Sequence, residues 1–146
     1  MAEHVVLDTN VTISALLWRG APYRVVLLAK AKVIQALYCD EMLAELTEKL
    51  REKIRFDESR IHAIIYQIRQ YAERVEIAGT LHFVRDDPDD DKFIECAVVG
   101  KASWIISGDQ HLLGLSEYQD IHMVTAEDFL SKFDDDEEEH ETEADE

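Results

Sequence analysis

The chain has 146 residues, of which 47% are apolar, and it carries a formal net charge of −17. This length predicts one globular domain with a single core, and the lack of any apolar run near the roughly 20 residues that span a bilayer excludes a membrane protein. The net charge neither supports nor excludes a nucleic-acid partner, because residues 134–146 hold ten of the 32 acids and leave 22 acids against 15 bases elsewhere.

Short apolar runs alternate with amphipathic segments along the chain. The predicted elements are a strand at 5–8, a helix at about 21–31, a strand at 33–39, a helix capped by Asp40 and running to about Arg55, a helix opened by Asp57 or Ser59, a strand at 75–77, a loop at 78–89, a helix at about 90–101, and strands at 104–107 and 121–125. A last helix, capped by Thr125, runs through Phe133. This order predicts an α/β fold with a parallel sheet covered on both faces, whose ligands lie beyond the carboxyl ends of the strands.

The compartment and the domain limits follow from composition. The opening segment MAEHVVLDTN shows no signal-peptide pattern, and Cys39 and Cys96 lie in apolar segments without close spacing. We therefore expect a reduced, cytoplasmic protein that contacts no membrane. Residues 134–146 cannot bury apolar surface and repel one another, so we expect a domain over 1–133 followed by a disordered acidic tail.

Two predicted strands end in an acid. Asp8 closes VVLD, and Asp109 follows WIIS after Gly108. An acid at the carboxyl end of a strand stands at the expected edge of a site, although each could equally be a helix N-cap, Asp109 for a short helix over QHLL.

Two helices each offer a further acid near a buried face. Of the glutamates after Asp40, Glu45 lies nearest the apolar stripe of its helix, about 60° from Met42. The alternative is that Glu45 lies on the solvated face and pairs with Lys49. In the run RDDPDDDKF, Asp90 falls near the centre of the apolar stripe of helix 90–101, and Asp91 lies roughly 110° away. We therefore expect Asp91, like Asp86, Asp87 and Asp89, to be solvated or capping.

Gathered carboxylates repel one another unless a cation lies between them. An all-oxygen set suits Mg²⁺ or Mn²⁺, and the six scattered histidines do not show zinc-ligand spacing. Such ions activate water and stabilise the oxygens of a phosphoryl displacement. The four acids therefore indicate hydrolysis of a phosphodiester.

Four motifs carry a resemblance to a known family. They are VLDTN at 6–10, MLAEL at 42–46, DPDDDKFIECA at 87–97 and IISGDQHLL at 105–113. In this order they resemble PIN-domain ribonucleases, and in particular the VapC-like toxin components of prokaryotic toxin–antitoxin systems, over about residues 4–133.

The resemblance implies a three-layer, Rossmann-like α/β/α sandwich with a mostly parallel sheet, and an endoribonuclease that depends on Mg²⁺ or Mn²⁺. It implies that Asp8, Glu45, Asp90 and Asp109 are the metal-binding catalytic acids, with Asp91 as the alternative to Asp90. Asn10 and Ser107 match supporting polar positions. His111 departs from the family, where another acid is common. The implied partners are an RNA substrate, a cognate antitoxin and a second copy of the chain.

Four rival classes of protein compete with this interpretation. A catalytically weak PIN-like module that binds RNA or protein is the main alternative, although it would be free to lose the four acids. A phosphatase of the Asp-x-Asp type would need an acid where Asn10 stands, and the features of a phospho-acceptor receiver domain are not clear in the chain. A nucleotide-binding enzyme is disfavoured because no glycine-rich phosphate loop is present.

Overall fold

The computed structural model describes residues 2–78 and 91–133. Asp90, the predicted loop from residue 79 onwards and the acidic tail 134–146 lie outside the described residues. The division into a domain over 1–133 and a tail therefore stays a prediction. In the described part of the chain, none of the helices is both long and apolar enough to cross a membrane.

Six strands form one sheet in which the first strand is central. The strands are β1 (Glu3–Leu7), β2 (Ile34–Tyr38), β3 (Ala72–Arg74), β4 (Trp104–Ile106), β5 (Glu117–Tyr118) and β6 (Ile121–Val124). Their order is β3-β2-β1-β4-β6-β5, and every neighbouring pair is parallel except β5 and β6. Consecutive parallel strands need crossovers, which helices supply.

Helices flank the sheet. They are α1 (Thr9–Leu17), α2 (Ala21–Lys30), α3 (Asp40–Lys49), α4 (Glu58–Tyr71), α5 (Asp91–Val99), α6 (Gln110–Leu115) and α7, which covers 126–133. The core between the layers includes the fully buried Val5, Val6, Ile94, Ile105 and Ile106. The predicted α/β sandwich with a mostly parallel sheet is confirmed.

Most of the predicted element ends are confirmed. Asp57 caps α4 through a hydrogen bond from the Arg60 amide, 2.8 Å long, and Thr125 accepts from the Asp128 amide at 3.1 Å. The cysteines expected in apolar segments are both buried free thiols. A hydrogen bond with the neighbouring Cys39 thiol, together with burial, raises the pKa of Cys96.

Two local predictions were wrong, and a third was right in where the helix ends but not in its helix type. The N-cap of α3 is Cys39, and Asp40 is its first residue. The α-helix stops at Lys49 and continues as a π-helical turn, Leu50–Ile54, which ends where Arg55 turns left-handed at φ 63°. The predicted strand at 75–77 is shifted back to β3, because α4 ends at the buried Tyr71 and delivers the chain directly to the edge of β2.

Two elements had no predicted counterpart, α1 and β5. The segment of α1 is rich in β-branched residues, which lowers helix propensity. The Asp8 cap and packing against α2 outweigh that preference. β5 has only two residues and pairs antiparallel with β6, so it has no periodicity to detect.

Candidate metal centre at the carboxyl edge of the sheet

Asp8 lies where β1 passes into α1. Its amide donates to the Ile106 carbonyl at 3.0 Å, which extends the pairing of β1 with β4. Its carboxylate Oδ1 accepts from the Val11 amide at 2.8 Å, so Asp8 is the N-cap of α1. The side chain is only 4% exposed. The two roles considered for this residue, cap and acid at a strand end, are therefore compatible.

Ser107 joins Asp8 to Asp109. Ser107 is 1% exposed. Its hydroxyl donates to Asp8 Oδ2 and accepts from the Asp109 amide at 2.9 Å. Asp109 in turn caps α6 by accepting from the His111 amide at 2.7 Å. Because β1 and β4 are parallel neighbours, the two strand-end acids meet at the same edge.

Burial dominates the electrostatics of Asp8. Loss of hydration raises the pKa of its carboxyl above the ordinary 3.8, and the charge of Asp109 raises it further. Hydrogen bonds from Ser107, Val11 and the Gly108 backbone lower it in part. The ionised carboxylate is therefore held in place by donors but remains short of compensating positive charge.

Glu45 reaches this edge from the middle of α3. The Thr9 hydroxyl, next along the chain from Asp8, donates to its Oε2. Lys92 on α5 donates to its Oε1 at 3.1 Å and forms a salt bridge with it. The alternative of a solvated Glu45 paired with Lys49 is therefore not observed, because Glu45 pairs with Lys92 and its side chain is 23% exposed.

The structure corrects the expectation for Asp91. It lies in the first turn of α5 and is 7% exposed, rather than solvated. The helical-face estimate assumed a single buried stripe, but α5 packs against β1, β4, β2 and α3, and Glu95 one turn further on is buried as well. Asp90, the predicted ligand, lies outside the described residues, so its position stays a prediction.

The remaining predicted side chains lie at the rim. Asn10, the second residue of α1, is exposed beside the buried Thr9. His111, where the family commonly has an acid, is exposed and contributes its backbone amide to Asp109.

Two contributors were missed by sequence reasoning, Thr9 and Lys92. Each directly follows a predicted acidic motif, at VLDT and DDDK, which is the signal that could have pointed to them. With them, hydrogen bonds and one ion pair connect Asp109, Ser107 and Asp8 on one side, and Thr9, Glu45 and Lys92 on the other.

Within residues 2–78 and 91–133, no three His, Cys, Asp or Glu side chains form a group that could hold a metal ion. The donors that are described nevertheless fit a hard divalent cation in their chemistry, because Asp8 and Asp109 offer carboxylate oxygens. The raised pKa of the buried Asp8 indicates a carboxylate that a nearby cation would stabilise. Whether Asp90 or Asp91 completes such a set stays a prediction.

Comparisons with known proteins agree with this architecture. The family model of the PIN domain matches residues 4–111. No curated protein sequence matches the chain. The crystal structure of VapBC2 from Rickettsia felis, bound to a DNA fragment from their promoter, superimposes with a TM-score of 0.56 at 14% identity, over 82% of this chain and 96% of that chain. The T. brucei RRP44 PIN domain superimposes with a TM-score of 0.55 at 12% identity, over 99% of this chain and 88% of that one.

These structural likenesses, at such low identity, concern the fold alone. The family match covers most of the chain, including Asp8, Glu45, Ser107 and Asp109. This chain belongs to the PIN domain family.

Proposed function

We propose that this protein is a metal-dependent endoribonuclease that hydrolyses RNA phosphodiester bonds with Mg²⁺ or Mn²⁺. PIN domains are generally nucleases, and the observation that carries the proposal is the pair of acids, Asp8 and Asp109, bridged by the buried Ser107 at the carboxyl edge of a PIN fold. A buried acid such as Asp8 costs stability unless hydrogen bonds or a cation compensate its charge.

Asp8 and Asp109 are the proposed cation ligands from the strand ends, completed by Glu45 and by Asp90, with Asp91 as the alternative. The bound cation supplies activated water and stabilisation of negative charge on the phosphate oxygens. Ser107 orients the Asp8 carboxylate, and Thr9 orients that of Glu45. We assign a substrate contact to Asn10, which is exposed at the start of α1.

The test is cleavage of RNA in Mg²⁺, Mn²⁺ or EDTA by the wild type and by Asp8→Asn. We expect cleavage in either metal, none in EDTA, and a rate reduced by about 100-fold or more in the variant, a loss typical when a group that stabilises the transition state is removed. Asp57→Asn is the matched control, because the exposed Asp57 caps α4 with a hydrogen bond of the same 2.8 Å length and is not one of the proposed site residues. Cleavage that survives EDTA or Asp8→Asn unchanged would contradict the mechanism. RNA binding without turnover would instead favour the catalytically weak module.

We further propose that the protein is the toxin of a toxin–antitoxin pair in the cytoplasm, that it forms a homodimer, and that a cognate antitoxin inhibits it. Support comes from the likeness to VapBC2 and from apolar side chains left in solvent on α1, α2 and their junction, namely Leu17 at 40%, Trp18 at 70% and Leu27 at 43% exposure. Exposed apolar surface of this kind is characteristic of partner-binding faces.

Expression of the protein alone and together with a small adjacent gene product tests this role. We expect growth arrest that the second protein relieves, and a mass in light scattering of two copies for the protein alone. Normal growth on expression of a protein that cleaves RNA in vitro would reject the toxin role while leaving the nuclease intact.

A further inference from the structure

Lys92 brings a positive charge into an otherwise acidic edge. Its Nζ lies 3.1 Å from Glu45 Oε1, and only 15% of its side chain is exposed. The Nζ also lies 4.9 Å from the centroid of the Phe93 ring, within range of a cation–π contact. The ammonium is therefore a positioned, partly desolvated group, unlike a surface lysine.

Glu45 has both of its carboxylate oxygens engaged. Thr9 donates to Oε2 and Lys92 to Oε1. A divalent cation that binds Glu45 would therefore lie close to the Lys92 ammonium. An ammonium and a divalent cation repel each other strongly at such range. Glu45 can therefore serve Lys92 or a metal, but not both through the same oxygen.

A released Lys92 would remain at the site. Its α-carbon is fixed in the first turn of α5, beside the buried Asp91, and only its four-carbon stem can swing. The substrate proposed for this site is a polyanion, whereas the other side chains proposed for it, Asp8, Asp109 and Asp91, are acids. A phosphate oxygen is the ligand that an ammonium at this place would take.

We propose that Lys92 is a phosphate-binding residue of this site, and that it neutralises Glu45 until Glu45 becomes a metal ligand. Its ammonium then passes from Glu45 Oε1 to a non-bridging oxygen of the RNA backbone. No covalent bond changes in this exchange. The inference rests on the proposed nuclease function, and it adds a substrate contact that also governs metal affinity.

The first test measures Mn²⁺ binding by calorimetry, without RNA, for the wild type, Lys92→Met and Lys92→Arg. Removing the competing charge should tighten Mn²⁺ binding by roughly threefold to tenfold in Lys92→Met, whereas Lys92→Arg should stay near wild type. Lys53→Met, at an exposed position, is the control and should leave the affinity unchanged. Weaker Mn²⁺ binding by Lys92→Met would overturn the proposal, since it would mean that Lys92 only holds Glu45 in position.

The second test measures binding of a fluorescent single-stranded RNA by anisotropy across a salt series, in Ca²⁺ and in EDTA, with the RNA shown intact on a gel. In Ca²⁺, Lys92→Met should bind more weakly, and the slope of log affinity against log salt should fall by about 0.7, the value for one phosphate contact on a single strand. In EDTA, where Lys92 is paired with Glu45, the two proteins should bind alike. Equal slopes in Ca²⁺ would overturn the phosphate contact.

The outcomes separate the inference from the function on which it rests. A wild type that cleaves RNA, with Lys92→Met unchanged in both tests, rejects the role of Lys92 alone. A wild type that binds no Mn²⁺ rejects the nuclease mechanism and the exchange together. If Lys92→Met does not fold, Lys92→Gln also removes the charge and takes its place in both tests.

Discussion

Replacing Asp8 with asparagine should make the metal-free protein more stable at neutral pH. Asparagine is as good an N-cap as aspartate, so the hydrogen bond from the Val11 amide is kept. The Ser107 hydroxyl can turn to accept from the new amide, while the buried charge and its repulsion with Asp109 are removed. Removing a buried, repelled charge of this kind from a functional site should stabilise the protein by about 0.5–2 kcal/mol.

The pH dependence has a definite sign. The folded-state pKa of Asp8 is raised above its ordinary value of 3.8, so between those two pKa values the folded protein binds more protons than the unfolded chain. Stability from this residue therefore falls as pH rises through that window, by at most about 1.4 kcal/mol per pH unit. Below the unfolded pKa the penalty is absent, and above the folded pKa it is complete and constant.

Urea and thermal unfolding in EDTA from pH 4 to pH 8 provide the measurement. The free energy of unfolding of Asp8→Asn should match that of the wild type near pH 4 and exceed it at pH 7. Each kcal/mol of added stability should raise the Tm by about 2–4 °C. Asp57→Asn removes only an exposed charge at the start of a helix, so its stability should fall slightly and should not rise. Mn²⁺ should stabilise the wild type and not Asp8→Asn. A variant less stable than wild type at pH 7 in EDTA would refute the reasoning, because the charge of Asp8 would then be a net stabiliser.

Four further substitutions test the packing and the hydrogen bonds by urea unfolding. Gly100→Ala places a Cβ 2.5 Å from Leu37 Cδ1 and should cost about 1–3 kcal/mol, whereas Gly114→Ala, with nothing within 4 Å, should gain up to about 1 kcal/mol. Ser107→Ala should cost about 1–3 kcal/mol, and more at pH 8 than at pH 4, because the lost bond favours ionised Asp8. Phe129→Ala, 1% exposed and edge-on to Trp104, should cost about 3–5 kcal/mol.

Each of these has a result that would contradict it. Equal changes in stability from the two glycine substitutions would contradict the close approach of Gly100 to Leu37 on β2. A Ser107→Ala loss independent of pH would mean that the hydroxyl serves the Asp109 amide alone. A Phe129→Ala loss below about 1 kcal/mol, the level of a conservative core change, would place α7 outside the cooperative fold.

Local patterns predicted where Asp8 and Asp109 lie on their own strands, because each apolar run ends in an acid. Whether the two acids meet depends on β1 and β4 being neighbours, and strand order is not contained in any local pattern. Family resemblance supplied that step. The same limit applies to Lys92 and Glu45, which are 47 positions apart and belong to different helices.

Helix α5 shows a different limit of prediction from sequence. A helical-face argument assumes that one side of a helix faces water, as it does for α4, where Ile61, Ile64 and Ile68 are buried. In α5 Asp91 and Glu95 are also buried, so the angle between Asp91 and the apolar stripe had no bearing on its exposure. How many neighbours a helix has is set by the assembled fold and not by its periodicity.

The central place of β1 in the sheet has a consequence for the nascent chain. Asp8 and Ser107 are separated by 99 positions, and β1 lacks its neighbour on that side until β4 has been synthesised. At about 5–20 residues per second, the intervening segment takes roughly 5–20 s to translate. During that interval the ribosome carries an N-terminal strand whose acids have no Ser107 or Asp109 beside them. Whatever chemistry this edge performs therefore begins only after β4 docks against β1.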